Sequence, residues 1–183
     1  MAIPSNLPVR SRIRNAVLYA LRNRIKSGEP TVKYAASGNT TVNNEGYYLT
    51  IKNAYDPPRH FDQMPEFPAV NVFIANESCE DTSNTQIEQN TFLLSNNFTL
   101  RLECFIHNVN DPDLECDKLL ADLQRYFGTN YSIPDENGQS TAMAIYYSGS
   151  EILGTESTRP NIYINVEFKV WYRQRNNNPT ISC

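Results

Sequence analysis

Apolar residues recur at steps of three and four in two stretches of the chain, which is the spacing of one face of an α-helix. The first stretch runs from Leu7 to Ile25, and Gly28 supplies its stop signal. The second follows Asp111, a good N-cap residue, and Pro112, which suits a first helical position. The two apolar stripes are Val9, Ile13, Ala16, Val17 and Ala20, and then Cys116, Leu119, Leu120, Leu123 and Phe127.

Elsewhere apolar and polar residues alternate, which indicates β-strands. The alternation is clearest in residues 98–107, where every second residue from Phe98 to Ile106 is apolar. The five predicted strands are residues 47–55, 69–75, 98–107, 141–149 and 161–174. The inward positions of these periodicities predict a core built on Ile13, Val17, Val72, Leu100, Leu102, Leu123, Val166 and Phe168.

Long polar or proline-rich segments separate these elements and are predicted to be loops. They are residues 29–46, 54–68, 76–97 and 128–140. Short direct links between several strands favour antiparallel pairing. The sequence therefore predicts an α+β fold, with an antiparallel or mixed sheet of about four to five strands and two helices on one face.

The 183 residues, with 40% apolar and 20% charged positions, fit a single domain spanning residues 1–183. We expect an ordered core over residues 7–175 and a frayed tail over 176–183. No apolar run approaches the roughly 20 residues of a membrane helix, and the first residues lack the apolar stretch of a signal peptide. A cytoplasmic product without a membrane partner is the expectation.

Charge is distributed unevenly along the chain. Residues 1–33 hold seven basic groups and one acidic group, whereas residues 61–122 hold two basic and twelve acidic groups. The two regions either face each other or solvent within one copy, or they join copies head to tail. The second interpretation predicts an interface that comprises Arg10, Arg14, Leu18, Leu21, Arg22, Ile25 and Lys26 on the first helix, and Glu77, Glu80, Asp81, Asp113 and Asp117 in the acidic region.

Residues that could support catalysis or bind a cofactor are sparse. Neither glycine-rich phosphate-binding motif occurs, and His60 and His107 are the only histidines. Alternation places Cys104 and His107 on opposite faces of one strand, which argues against a zinc site with Cys116. The acids after Asp111 fit a helix N-terminus better than a calcium loop. We expect no enzyme activity, no metal and no cofactor.

Four segments, taken in order, resemble the tail terminator proteins of long-tailed bacteriophages. They are the opening helix RIRNAVLYALRNRI, the strand EFPAVNVFI after an irregular loop, the strand and helix FTLRLECFIHNVNDPDLECDKLLADLQRYF, and the final strand NIYINVEFKVWYRQ. The likeness covers roughly residues 7–175 and is one of pattern and order. The loops are longer than in the compact family pattern.

This resemblance implies a structural virion protein that forms a hexameric ring on the last ring of the tail tube. Such a ring ends tube growth and joins the tail to the head-side neck, so the implied partners are further copies, the tail-tube protein, the neck or head-closure protein and, in a contractile tail, the sheath. DNA would only pass through the ring, without recognition of its sequence. Two alternatives stay open: another neck or connector component such as a head-closure or tail-tube subunit, and a small-molecule-binding α+β domain.

Overall fold

A computed structural model of the chain describes residues 7–34, 40–80, 86–88, 91–107, 109–129, 132–153 and 161–175. Within these ranges the chain forms two α-helices, one short 3-10 helix at Phe61–Gln63 and eight strands. The helices are α1 (Val9–Asn23) and α2 (Pro112–Thr129). The strands are β1 (Pro30–Tyr34), β2 (Thr40–Gly46), β3 (Asn53–Tyr55), β4 (Ala69–Glu80), β5 (Gln86–Glu88), β6 (Thr91–His107), β7 (Ala144–Leu153) and β8 (Asn161–Arg175).

Five strands form one mixed sheet in the order β3-β4-β6-β8-β7. Strand β3 runs parallel to β4, whereas the β4–β6, β6–β8 and β7–β8 pairs are antiparallel. The short β5 pairs with β6, and β1 and β2 form a separate antiparallel hairpin. The α+β class and the mixed sheet with two helices are therefore as predicted.

Both helices pack on the same face of this sheet, which we call the inner face. The cross-strand partners Val72, Leu102 and Val166 lie on it and are at most 2% exposed. All eight predicted core residues are buried in one continuous cluster with the helices. In α2, the predicted stripe is wrong at one residue. Leu120 is only partly buried, whereas Tyr126, which the prediction left out, is buried.

A segment from Asp56 to Pro68 covers one end of the opposite face, which we call the outer face. The predicted lack of regular structure holds here apart from the 3-10 turn, and the peptide bonds before Pro57 and Pro68 are cis. Phe61 stacks on Phe67 with ring centroids 4.8 Å apart, and both rings pack on a second buried cluster that contains Phe105.

The predicted loops at residues 29–46 and 76–97 are wrong in part. The first contains the β1–β2 hairpin, and the second continues β4 to Glu80 and begins β6 at Thr91. The extended β4 and β6 pair with each other as far as Glu80 and Ser95. Backbone pairing and polar contacts such as the Ser78–Asn97 hydrogen bond hold these extensions, whose residues do not alternate between apolar and polar.

Element boundaries differ from the prediction at three further places. Helix α1 ends at Asn23, and Gly28 instead adopts a left-handed φ of 77° in the following turn. The predicted strand at residues 47–55 is reduced to β3. Strand β7 is shifted towards the C-terminus, since residues 141–143 precede it and it extends to Leu153.

Helix α2 fixes the segment between β2 and β3 through Asp122. This fully buried carboxylate accepts the backbone N–H groups of Tyr48 and Leu49 at 2.9 and 2.8 Å. One turn further, Arg125 donates to the carbonyl of Gly46 and lies over the Tyr48 ring. These polar contacts explain why residues 47–52 leave the strand conformation.

Replacing Leu102 with Ala is expected to lower the free energy of unfolding by about 2–5 kcal/mol, because the side chain is fully buried between the helices and the sheet. Denaturant titration measures this loss. The matched control is Leu153→Ala, the same chemical change at a side chain 39% exposed, which should cost far less. Equal losses in the two variants would contradict the assigned inner face.

Replacing Asp122 with Ala is expected to cost about 1–3 kcal/mol of stability, because two backbone N–H groups lose their acceptor. Asp117→Ala, at an exposed carboxylate of the same helix, is the control. An Asp122→Ala variant as stable as the control would contradict the role given to Asp122.

The contribution of Asp122 to stability is expected to depend on pH. Burial raises the pKa of Asp122 above its ordinary value of 3.8, against the lowering effect of the two backbone hydrogen bonds. The folded chain then holds this proton to a higher pH than the unfolded chain, so the contribution of Asp122 to stability is largest at low pH and falls as pH rises through the folded-state pKa. The difference in free energy of unfolding between wild type and Asp122→Ala should shrink as pH rises from 3.8 through the folded-state pKa of Asp122.

Candidate assembly interface

The basic residues of α1 are largely engaged within their own chain. Arg10 donates to Glu77 at 2.7 Å, and the second carboxylate oxygen of Glu77 accepts the Tyr172 hydroxyl. Burial and this hydrogen bond raise the pKa of Tyr172. Glu77 thus joins α1, β4 and β8. This contact fits the first interpretation of the charge distribution, in which the basic and acidic regions face each other within one copy.

Two further arginines of α1 contact the segment around β3. The Nε of Arg14 lies 2.9 Å from a carboxylate oxygen of Asp56. Arg22 donates from both Nε and Nη2 to the carbonyl oxygen of Ala54, the middle residue of β3. Reversing the charge of Arg14 or Arg22 would therefore disturb the fold of one copy as well as any contact between copies.

The predicted apolar part of the α1 interface is wrong. Leu21 and Ile25 are fully buried, and Leu18 is only 8% exposed. All three belong to the core cluster beneath the sheet's inner face, because α1 buries a wider arc than one narrow stripe. They present no surface to a neighbouring copy.

The acidic half of the predicted interface is partly described. Asp113 and Asp117 are exposed on α2. For Glu80 only the backbone is described, and Asp81 lies outside the described residues. Lys26 is half-buried just beyond the end of α1. A contact between copies through Lys26, Asp113 or Asp117 stays a prediction.

The two edges of the sheet differ. Strand β3 is three residues long, lies against α1, and has the carbonyl of Ala54 occupied by Arg22. Strand β7 is ten residues long and, among the described residues, pairs only with β8. An unpaired edge of this length carries a row of backbone donors and acceptors that can bind another chain.

Large apolar side chains are exposed along the β7 edge. Tyr146, Tyr147, Ile152 and Leu153 are between 39% and 50% exposed. A bulge between Tyr147 and Gly149 divides the strand in two. Exposed apolar residues grouped on one edge, rather than scattered, are typical of a contact surface.

Beside the start of β7, the outer face contains a cleft of about 440 Å³. Met143, Tyr146, the half-buried Trp171 and Arg173 are among the residues that line it. The sequence places Trp171 and Arg173 outward on the last strand but does not single them out. The chain's one tryptophan, at an outward position two residues from an arginine, is the sequence feature that could have indicated this cleft.

A second cleft, of about 330 Å³, lies between residues 58–61 and the outer face. Its wall is fixed because the side-chain amide of Asn71 exchanges two hydrogen bonds with the backbone of Arg59, at 3.0 and 2.9 Å. Phe105 and Tyr163 line its floor, with Glu103 beside them.

The residues considered for chemistry are kept apart. Cys104 is buried on the inner face, whereas His107 is exposed on the outer face beside Phe61 and Phe67, as the alternation predicts. Burial raises the pKa of Cys104, and burial together with neighbouring carboxylates raises that of Cys116 to about 11. Both thiols are therefore protonated at neutral pH.

No group of three or more metal-binding side chains converges within the described part of the chain. In those same ranges, neither helix is long and apolar enough to cross a lipid bilayer.

No protein-family model matches the chain, and no curated protein sequence matches it either.

Replacing Arg22 with Ala is expected to lower the free energy of unfolding by about 0.5–1.5 kcal/mol, because the Ala54 carbonyl loses both donors. Arg22→Lys should lose part of this, since an ammonium lacks the fork of a guanidinium. Lys26→Ala, which removes a nearby charge, serves as the control in denaturant titration. Equal stability of the Arg22→Ala and Lys26→Ala variants would show that Arg22 does not secure β3.

Proposed function

We propose that this chain is a structural, non-enzymatic subunit of a hexameric ring that caps a bacteriophage tail tube, ends its polymerisation and joins the tail to the neck. The proposed partners are further copies, the tail-tube protein, the neck or head-closure protein and the sheath of a contractile tail. DNA passes through the ring without recognition of its sequence. The completed ring belongs to the virion and is assembled in the host cytoplasm.

The observation that carries the proposal is the difference between the two edges of the sheet. A closed ring needs two different surfaces on each copy, because every copy meets one neighbour with each. Here β3 is secured by Arg22 of the same chain, while the edge of β7 away from β8 has no partner strand among the described residues and bears exposed tyrosines and aliphatic side chains. A monomeric domain gains nothing from such an edge, which exposes it to aggregation.

The lengths of the strands give further support. Strands β6 and β8 have 17 and 15 residues, or about 55 and 50 Å at about 3.3 Å per residue. The two helices reach only about 22 and 27 Å at 1.5 Å per residue. These strands are much longer than either helix, and the exposed residues 76–79 near the end of β4 offer surface to the rings above and below.

The test is a phage whose copy of this reading frame carries a stop codon. Because the proposed ring stops tube growth, its loss should give tubes longer than normal and no joined heads, and the chain supplied in trans should restore both. Electron microscopy of the lysates reads out tube length and attachment. Tails of normal length attached to heads would overturn the proposal.

The same micrographs separate the related alternatives. Loss of a tail-tube subunit would remove tubes altogether, whereas loss of a head-closure protein would leave tubes of normal length beside unattached heads. Antibody labelling of wild-type particles adds a position: the proposed ring lies at the head-proximal end of the tube.

A small-molecule-binding domain is the second candidate, and the cleft between residues 58–61 and the outer face favours it. The paired Asn71 and Arg59 hold this cleft open, and aromatic rings with one carboxylate line it. That function requires a monomer whose melting temperature rises with ligand. Light scattering on the purified chain separates the two candidates, because a ring subunit self-associates.

A further inference from the structure

The cleft beside β7 has the composition of an interaction hot spot. Met143 and Tyr146 are 48% and 47% exposed, and Trp171 forms the half-buried part of its lining. Tryptophan, tyrosine, methionine and arginine are the residues enriched where binding energy is concentrated in protein interfaces. Ala144, with its small side chain, lies among them and leaves room for an entering group.

The surroundings of this cleft are positively charged. Arg173 is exposed at its rim, and Lys169, the cross-strand partner of Tyr146, donates to the hydroxyl of Thr99 at 3.0 Å. None of the residues described as lining the cleft is acidic. An apolar side chain flanked by carboxylates is the occupant that this combination favours.

The chain itself carries such a group. Leu114 is 48% exposed on α2, between the exposed Asp113 and the half-buried Glu115, and Asp117 is exposed one turn on. The Asp111 carboxylate accepts the backbone N–H of Leu114 at 3.1 Å, which fixes the first turn of the helix. We call Leu114, Asp113 and Asp117 the acidic leucine patch.

The cleft and the acidic leucine patch cannot meet within one copy. Helix α2 packs on the inner face and begins just after β6 ends at His107, whereas the cleft lies on the outer face beside Ser95. Ser95 and His107 are 12 residues apart on one strand, which is about 40 Å. Only a second copy can bring the two surfaces together.

We propose that the acidic leucine patch of one copy docks in the Trp171 cleft of the next, with Leu114 between Tyr146 and Trp171 and the carboxylates facing Arg173. The contact is heterologous, so it repeats from copy to copy and closes into a ring when the rotation allows. It rests on the proposed function only in that copies of the chain assemble. Compared with the interface expected from the sequence, the basic side of the contact lies on β8, at Arg173, instead of on α1.

The first experiment compares two serine variants at similarly exposed apolar residues. Leu114→Ser should weaken self-association by about tenfold, because an apolar group leaves the cleft. Tyr48→Ser, at a side chain 52% exposed outside both the cleft and the β7 edge, should leave it within about twofold. Sedimentation equilibrium measures both constants, and denaturant titration checks that both variants fold. A wild-type chain that stays monomeric, or equal effects of the two variants, would overturn the proposal.

The second experiment mixes complementary variants. Leu114→Ser retains the cleft, and Tyr146→Glu retains the patch while placing a carboxylate where Asp113 and Asp117 should dock. Each alone should remain monomeric at concentrations where wild type assembles, and an equimolar mixture should form a dimer and nothing larger. Assembly of either variant alone, or a mixture that stays monomeric, would contradict a head-to-tail contact through these surfaces.

A third experiment exchanges the charges of the two surfaces. Arg173→Glu should weaken association, and Asp113→Arg in the same chain should restore part of it, with an effect that diminishes as salt rises. Failure of these variants leaves the stop-codon result untouched, since a ring could form through the β7 backbone instead. Conversely, normal tails without the chain would not alter the measured association, so the two proposals fail separately.

Discussion

The fold depends on covering one apolar face of a sheet whose strands are much longer than its helices. Burial of the inner face beneath α1 and α2 provides the main stabilisation, and it fixes the register of β4, β6 and β8 through the aligned Val72, Leu102 and Val166. Strands β4 and β6 continue past the apolar core by strand pairing and by polar contacts, among them the hydrogen bond between Tyr172 and Glu77. The same constraint thus leaves a covered apolar core beside a largely polar extension of β4.

Charge serves the fold before it serves any partner. A helix as basic as α1 suggests an electrostatic surface, yet Arg10, Arg14 and Arg22 each reach an acceptor of their own chain. The ion pairs Arg10–Glu77 and Arg14–Asp56 lie near the surface, where such pairs contribute little individually. Their value here is positional, because Arg22 secures a short edge strand and Glu77 ties α1 to β4 and β8. Exposed surface then remains on the opposite edge, on the outer face and at the start of α2.

Periodicity predicts what depends on burial and fails where burial is absent. The core positions of both helices and of β6 and β8 follow from the steps of 3.6 and 2, since each such residue contacts the same apolar layer. The β1–β2 hairpin and the extensions of β4 and β6 lack a sustained alternation of apolar and polar residues, so no local pattern predicts them. For the candidate site, sequence locates the charge of α1 but not its acceptors, because Ala54 and Glu77 are far from it along the chain. It likewise marks Trp171 as outward without indicating that Met143 and Tyr146 line the same cleft.

The position of β8 has a consequence for biosynthesis. This strand lies between β6 and β7 in the sheet, yet the ribosome makes it after both. Until it emerges, β6 lacks one neighbour and β7 has none among the described strands, so the apolar inner face cannot close before β8 has been made. Pairings over such sequence separations form slowly. The Trp171 cleft and the β7 edge therefore both come into being only when β8 inserts.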